Sequence, residues 1–174
     1  RAVKVVKNGY QIADKVFENV KDANRAIDNS ALSIAQKQQL KEQLAQQAGI
    51  PRDIINNPAN LWGKTVDQIK QSFEMDGAVL KLSEANSKQS GKAIVYNVEK
   101  SASGIKQFQY HPGGGTHKEG TYYKIVKTDG TEIRIFDPVK NKDFKPGTII
   151  SKQIYMNQQG QVLRYTTSEG WGVK

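Results

Sequence analysis

"TYYKIVKTDGTEIRIF", Thr121 to Phe136, decides how the second half of this chain folds. Two runs of alternating apolar and polar residues flank Thr128-Asp129-Gly130. A three-residue loop with glycine in the left-handed position is a common hairpin solution. That register pairs Lys127 with Thr131, Ile125 with Ile133 and Tyr123 with Ile135. One face then carries Tyr123, Ile125, Ile133 and Ile135, which is a core face. The other carries Tyr122, Lys124, Arg134 and Phe136, with Lys124 directly opposite Arg134. A two-residue loop would mix polar and apolar side chains on both faces, so the alternation selects the first register. Two cations facing each other across a ladder repel by roughly a few tenths of a kcal/mol. Something anionic belongs there, either a ligand or the chain's own Glu132 or Asp137.

Working outward, "AVLKL", "AIVYNV", "IKQFQY", "TIISKQIYM" and "QVLRYTT" read as further strands, separated by Gly, Asp and Asn turns. "TVDQIKQSFEMDG" ahead of them predicts a short helix: Thr65 and Gln68 make a capping box, Val66, Ile69 and Phe73 a stripe, and Gly77 the end. One helix followed by a twisted antiparallel sheet is an α+β arrangement. Before residue 60 the pattern is helical. Ile12, Val16, Val20, Ala23 and Ile27 recur at three-to-four-residue steps. Asn29 and Ser30 then offer a cap, Leu40 and Leu44 share a second helical face, and Gly49 stops it. "GIPRDIINNPANLWGK" is a loop with two prolines, and the domain boundary is placed there. The expected division is a small helical module over 1–60 and an α+β domain over 61–174.

A chain of 174 residues, 37% hydrophobic, can bury a core. With no cysteine, disulfides, Cys-ligated zinc and thiol catalysis are excluded. No apolar run is long enough to span a membrane. The start, "RAVKVVKNGY", lacks an initiator Met and an apolar signal region, and reads as part of a longer polypeptide. The net charge of +9 favours polyanions, nucleic acid first and acidic proteins second. The basic residues are scattered, as on a folded surface, rather than gathered in a run.

Both histidines of the chain, His111 and His117, stand astride Gly113, Gly114 and Gly115, between the strand "IKQFQY" and the hairpin. Such a backbone can turn tightly, present N–H groups and approach a bulky ligand. It is not a phosphate loop of the Walker type, which needs Lys-Ser/Thr after its last glycine. Cleaving RNA without a metal needs a base for the ribose 2′-OH, an acid for the departing 5′ oxygen, and cations for the phosphorane charge. Histidine, with an ordinary pKa near 6.5, suits the first two tasks, and Lys and Arg suit the third. The set His111, His117, Lys124 and Arg134 fills every role, with base and acid left unassigned between the histidines. Thr166, in "RYTT", is the candidate hydroxyl. Gly113, Gly114, Gly115, Lys118, Tyr122, Asp137, Arg164 and Tyr165 are the candidate substrate contacts, with Asp137 alternatively a turn cap. Metal-dependent DNA cleavage would want clustered carboxylates or a His–Asn–His loop. Asp129, Glu132 and Arg134 only superficially resemble an acid-acid-base signature, because Asp129 lies on the turn. Zinc would need a third ligand such as Glu119, and no metal is expected. Trp62 and Trp171 read as packing residues.

A small helical module, a short helix and then a basic β domain containing "HPGGGTH…TYYKI…IRIFDP" resembles the C-terminal toxin region of contact-dependent growth inhibition (CdiA-type) proteins and related bacterial polymorphic toxins. The likeness covers the architecture of the whole chain, and its motif covers roughly 110 to 138. It implies an N-terminal module that carries the chain into a competitor's cytoplasm and a C-terminal nuclease of the barnase/EndoU/colicin E5–D/RelE-like group. It further implies delivery from the producer's surface, cleavage of tRNA, possible need of elongation factor Tu as protein cofactor, and neutralisation by a dedicated, acidic immunity protein. Two other readings stand beside it: a metal-dependent DNase toxin on the same scaffold, and a non-catalytic basic binding module.

Overall fold

The computed structural model describes residues 2–84, 93–114, 120–141, 152–167 and 170–173. The chain is α+β and divides into two compact units, one of residues 1–52 and 64–77, the other of 53–63 and 78–174. The division is therefore not a single cut near residue 60. The helix after residue 64 belongs with the N-terminal segment, whose core includes its Met75. Residues 53–63 belong with the sheet and bury Ile54 and Leu61.

The first unit opens with a three-stranded antiparallel meander, β1 (Val3–Val6), β2 (Gly9–Ile12) and β3 (Lys15–Phe17). The single helix expected to run through Ile12 and Val16 is thus a hairpin followed by a helix. Two turns break it. Gly9 has φ 138°, and a Cβ there would lie 2.0 Å from the Phe17 carbonyl oxygen, so the strand crossing admits only glycine. Ala13, at φ 56°, turns the chain between Ile12 and Lys15. Val16 is consequently half exposed rather than part of a buried stripe.

Helix α1 (Val20–Asp28) starts where the Asn19 side chain accepts the Asp22 N–H, and it buries Val20, Ala23 and Ile27. Asn29 caps its C-terminus and the Ser30 hydroxyl donates to the Ile27 carbonyl, so neither caps the next helix. That role falls to Ser33, in a capping box with Gln36, at the head of α2 (Ile34–Ala48), which ends at Gly49. Helix α3 (Val66–Met75) has the expected Thr65–Gln68 capping box. Leu44 and Ile27 are fully buried, and each contributes ~1.5–3 kcal/mol by leaving water. A part-buried and a buried cation, Arg52 and Lys41, complete this unit. The Arg52 guanidinium binds Glu42 at 3.0 Å and forks onto Asp76 at 3.0 and 3.1 Å. Lys41 Nζ lies 2.7 Å from Asp28 and donates to the Met75 carbonyl at 3.0 Å.

The second unit is a sheet of eight strands, β4 (Val79–Leu82), β5 (Ile94–Glu99), β6 (Ile105–His111), β7 (Tyr122–Lys127), β8 (Glu132–Phe136), β9 (Gln153–Asn157), β10 (Val162–Thr167) and β11 (Gly170–Val173), ordered sequentially from edge to edge. Its neighbours are antiparallel except β8 and β9, which run parallel, so the sheet is mixed rather than antiparallel throughout. Strand β11 was not foreseen.

The β7–β8 hairpin has the register read from its alternation: Tyr123 opposite Ile135, Lys124 opposite Arg134, Ile125 opposite Ile133. Gly130 takes a left-handed φ of 88°, and the Asp129 carboxylate accepts the Thr131 N–H at 2.9 Å, making Asp129 a turn residue. Tyr123, Ile125, Ile133, Ile135 and Phe108 are buried, as is Leu61 of the 3-10 turn Pro58–Leu61, which packs against β8. Trp62 meets Tyr123 edge-on at 5.8 Å, a packing role. No helix among the described residues is long and apolar enough to cross a membrane.

Candidate active site

Strand pairing lines up side chains in rows across the sheet, because directly opposed residues share a face. Gln109, Lys124, Arg134, Tyr155 and Arg164 form one row over β6 to β10. His111, Tyr122, Phe136 and Asn157 form the next, and Glu132 and Gln153 lie in the row on the other side. The face opposite the apolar core is thus mixed, with Phe136 and Tyr155 packed together beside polar residues, and it is far from fully wet: Gln109, Gln153, Asn157 and Tyr155 are buried.

His111 ends β6. Its ring stacks on Tyr122, with centroids 4.1 Å apart and planes 6° from parallel. Its Nε2 lies 2.8 Å from Gln109 Oε1. Gln109 in turn donates to Gln107 Oε1 at 2.7 Å, and Gln107 donates to Asn97 Oδ1 at 2.9 Å. Burial, and then the charges of Lys124 and Arg134, push the His111 pKa down from 6.5 to about 4. At neutral pH this imidazole is uncharged and able to accept a proton.

Lys124 and Arg134 do face one another, and Glu132 stands between them as the sequence allowed. Lys124 Nζ is 2.6 Å from Glu132 Oε1, and Arg134 Nη1 is 3.7 Å from Glu132 Oε2. Burial and the neighbouring Arg134 lower the Lys124 pKa, and Glu132 works against them. The Arg134 guanidinium lies 5.2 Å from the Tyr155 ring centroid, a cation–π contact. Its Nη1 is buried without a hydrogen-bond partner among the described residues. Among the described residues the two cations share one carboxylate, Glu132, which leaves the cluster with a net positive charge.

Gly113 and Gly114 are both left-handed, at φ 86° and 71°, a succession that L side chains resist. Thr121 Oγ1 donates to the Pro112 carbonyl at 2.9 Å and clasps the two ends of this segment. His117, Gly115, Lys118 and Glu119 lie outside the described residues.

The remaining candidates are dispersed. Arg164 sits beside Tyr155 at the far end of the cation row. Tyr165 is opposite Ile154 and, as its strand neighbour, points to the other face of the sheet. Thr166 Oγ1 accepts the Gln153 backbone N–H at 2.8 Å, committing the hydroxyl to the ladder. The Asp137 carboxylate accepts the Val139 N–H at 2.9 Å and caps a turn. The structure therefore gathers His111, Tyr122, Lys124 and Arg134, and adds Glu132, Gln109 and Tyr155. The two glutamines alternate with apolar residues in "IKQFQYH" and look like an ordinary wet strand face, so only the pairing reveals them. Among the described residues no group of three His, Cys, Asp or Glu is arranged to hold a metal.

No protein-family model, curated protein or solved structure matches this chain.

Proposed function

We propose that the chain is an antibacterial toxin acting as a metal-independent endoribonuclease, with tRNA the expected substrate. The observation that carries this reading is the juxtaposition, on one half-buried sheet face, of a neutral His111 with two under-compensated cations, Lys124 and Arg134. His111 takes the proton of a ribose 2′-OH, and the freed oxygen attacks the adjacent phosphorus. Lys124 and Arg134 bind the phosphorane oxygens as charge develops on them. The bond to the 5′ oxygen breaks, that oxygen receives a proton from the acid, and a 2′,3′-cyclic phosphate and a 5′-OH remain. An imidazole with a pKa near 4 is a poor proton donor at neutral pH, so the acid is assigned to His117. Phosphate competes with Glu132 for Lys124 as the substrate binds.

The partners follow the same chemistry. A basic site is best blocked by carboxylates that imitate phosphate, so an acidic immunity protein should bind in a salt-sensitive manner. A requirement for elongation factor Tu would appear as dependence on cytosolic extract. The test is incubation of the full chain with total tRNA in EDTA, with and without extract. Discrete fragments ending in cyclic phosphate support the proposal; intact RNA in every lane overturns it. The Glu132 bridge favours a second reading, a basic module that grips an anionic partner without turnover. In that case His111→Ala retains both affinity and toxicity.

A further inference from the structure

The side chains of Asn97, Gln107, Gln109 and His111 are joined end to end across β5 and β6, and every link runs in the same direction. Gln107 spends its amide N–H on Asn97, and Gln109 spends its own on Gln107. Gln109 therefore turns its carbonyl oxygen, an acceptor, towards His111. An acceptor 2.8 Å from a neutral ring nitrogen requires that nitrogen to carry the hydrogen. The buried position of Gln109 raises the cost of leaving either group unmatched.

We propose that Gln109, held in orientation by Gln107 and Asn97, is a positioning residue that fixes His111 as the Nε2–H tautomer and reserves Nδ1 as the proton acceptor. The inference rests on the ribonuclease reading for its catalytic meaning, but its physical content concerns the ring alone. A ring free to exchange tautomers would present its lone pair on either nitrogen. Stacking on Tyr122 fixes the plane of the imidazole, and the amide ladder selects the nitrogen within that plane. The groups beside the ring on the neighbouring strands are Tyr122 and Lys124 on β7 and Phe136 and Arg134 on β8. None of them supplies this selection in the described contacts. Run backwards, the same ladder would make Gln109 a donor, Nε2 an acceptor and Nδ1 the protonated nitrogen.

Nitrogen-15 NMR of the histidine-labelled full chain reads this directly, since there are only two histidines to assign and His111→Gln removes one. At pH 7 the His111 signals should report the Nε2–H form. Gln107→Met, which touches no part of the ring, should free Gln109 to turn over and admit the Nδ1–H form. Gln109→Glu should raise the His111 midpoint by ~1–3 units, since a carboxylate beside the ring favours the imidazolium, and carry the acid limb of cleavage with it. An Nδ1–H ring in the unaltered chain overturns the proposal, as does a tautomer balance and midpoint indifferent to both substitutions. The unaltered chain suffices for the first of these if a variant does not fold. Ordered tautomers in a chain that leaves tRNA intact would refute the ribonuclease and not the ladder; scrambled tautomers in a chain that cleaves would refute the ladder alone.

Discussion

Each unit contains cations largely withdrawn from solvent, and the two sets are balanced differently. Arg52 in the first unit has two carboxylates, Glu42 and Asp76, and Lys41 has Asp28 together with a backbone carbonyl. Lys124 and Arg134 in the second unit divide one carboxylate between them, and an Arg134 nitrogen is left without a hydrogen bond among the described residues. A cation whose demands are met from within holds a fold together. A pair short of anionic partners among the described residues retains affinity for phosphate, which is what the proposed ribonuclease requires. The first cluster should therefore respond to mutation in stability, and the second in activity.

The largest effect expected is on catalysis. His111→Ala should reduce tRNA cleavage by ~10²–10⁴-fold, the range for loss of a general base, while the far-ultraviolet circular dichroism stays unchanged. Next comes Arg52→Leu, which removes several charge-assisted hydrogen bonds and should cost ~2–3 kcal/mol in urea unfolding. Equal loss from Arg134→Leu would break the contrast, because that change relieves the repulsion on Lys124 and should cost under ~1 kcal/mol while lowering cleavage. Glu132→Gln sharpens it further. Removing the shared carboxylate should tighten tRNA binding at low salt and steepen its salt dependence by about one charge, at some cost in stability. A weaker, salt-indifferent complex would show that Glu132 serves binding rather than opposing it.

A further effect is on the pH dependence of folding. The folded His111 titrates near 4 and the unfolded one near 6.5. Between these values the unfolded chain binds a proton that the folded chain does not, so stability falls as the pH drops through that window. Denaturant midpoints from pH 7 to pH 4 should decline less in His111→Gln than in the unaltered chain. The acid limb of cleavage, set by His111 as the base, should likewise lie near pH 4 rather than 6.5.

How much of this was legible in the sequence depended on whether the information was local. "KTDGT" and the alternation on either side contain the whole β7–β8 register, and with it the opposition of Lys124 and Arg134. The α3 capping box was equally local. The N-terminal meander was hidden because Ile12, Val16 and Val20 happen to repeat at helical spacing, although the turn at Ala13 separates Ile12 from Val16. The split of the chain into units was hidden because the partners of α3 and of residues 53–63 are distant in sequence. The site divides in the same way. Glu132 could be named as a counter-ion from its place beside the hairpin, whereas Asn97 meets Gln107 only through strand pairing. Tyr155 meets Arg134 across a parallel register that no turn residue announces.

That parallel register has a kinetic consequence. Strands β4 to β8 are joined as successive antiparallel neighbours, and so are β9 to β11, so each block can zip from its own turns. The β8–β9 seam lacks that local start and should close last, since loop entropy is spent before its contacts form. Pulsed hydrogen exchange should find β6 and β7 amides protected before those of β9, and simultaneous protection would refute this order. Arg134 approaches Tyr155 only across the seam, so a chain caught partway through folding has its cations but not their aromatic wall. Such a chain would be an unarmed intermediate.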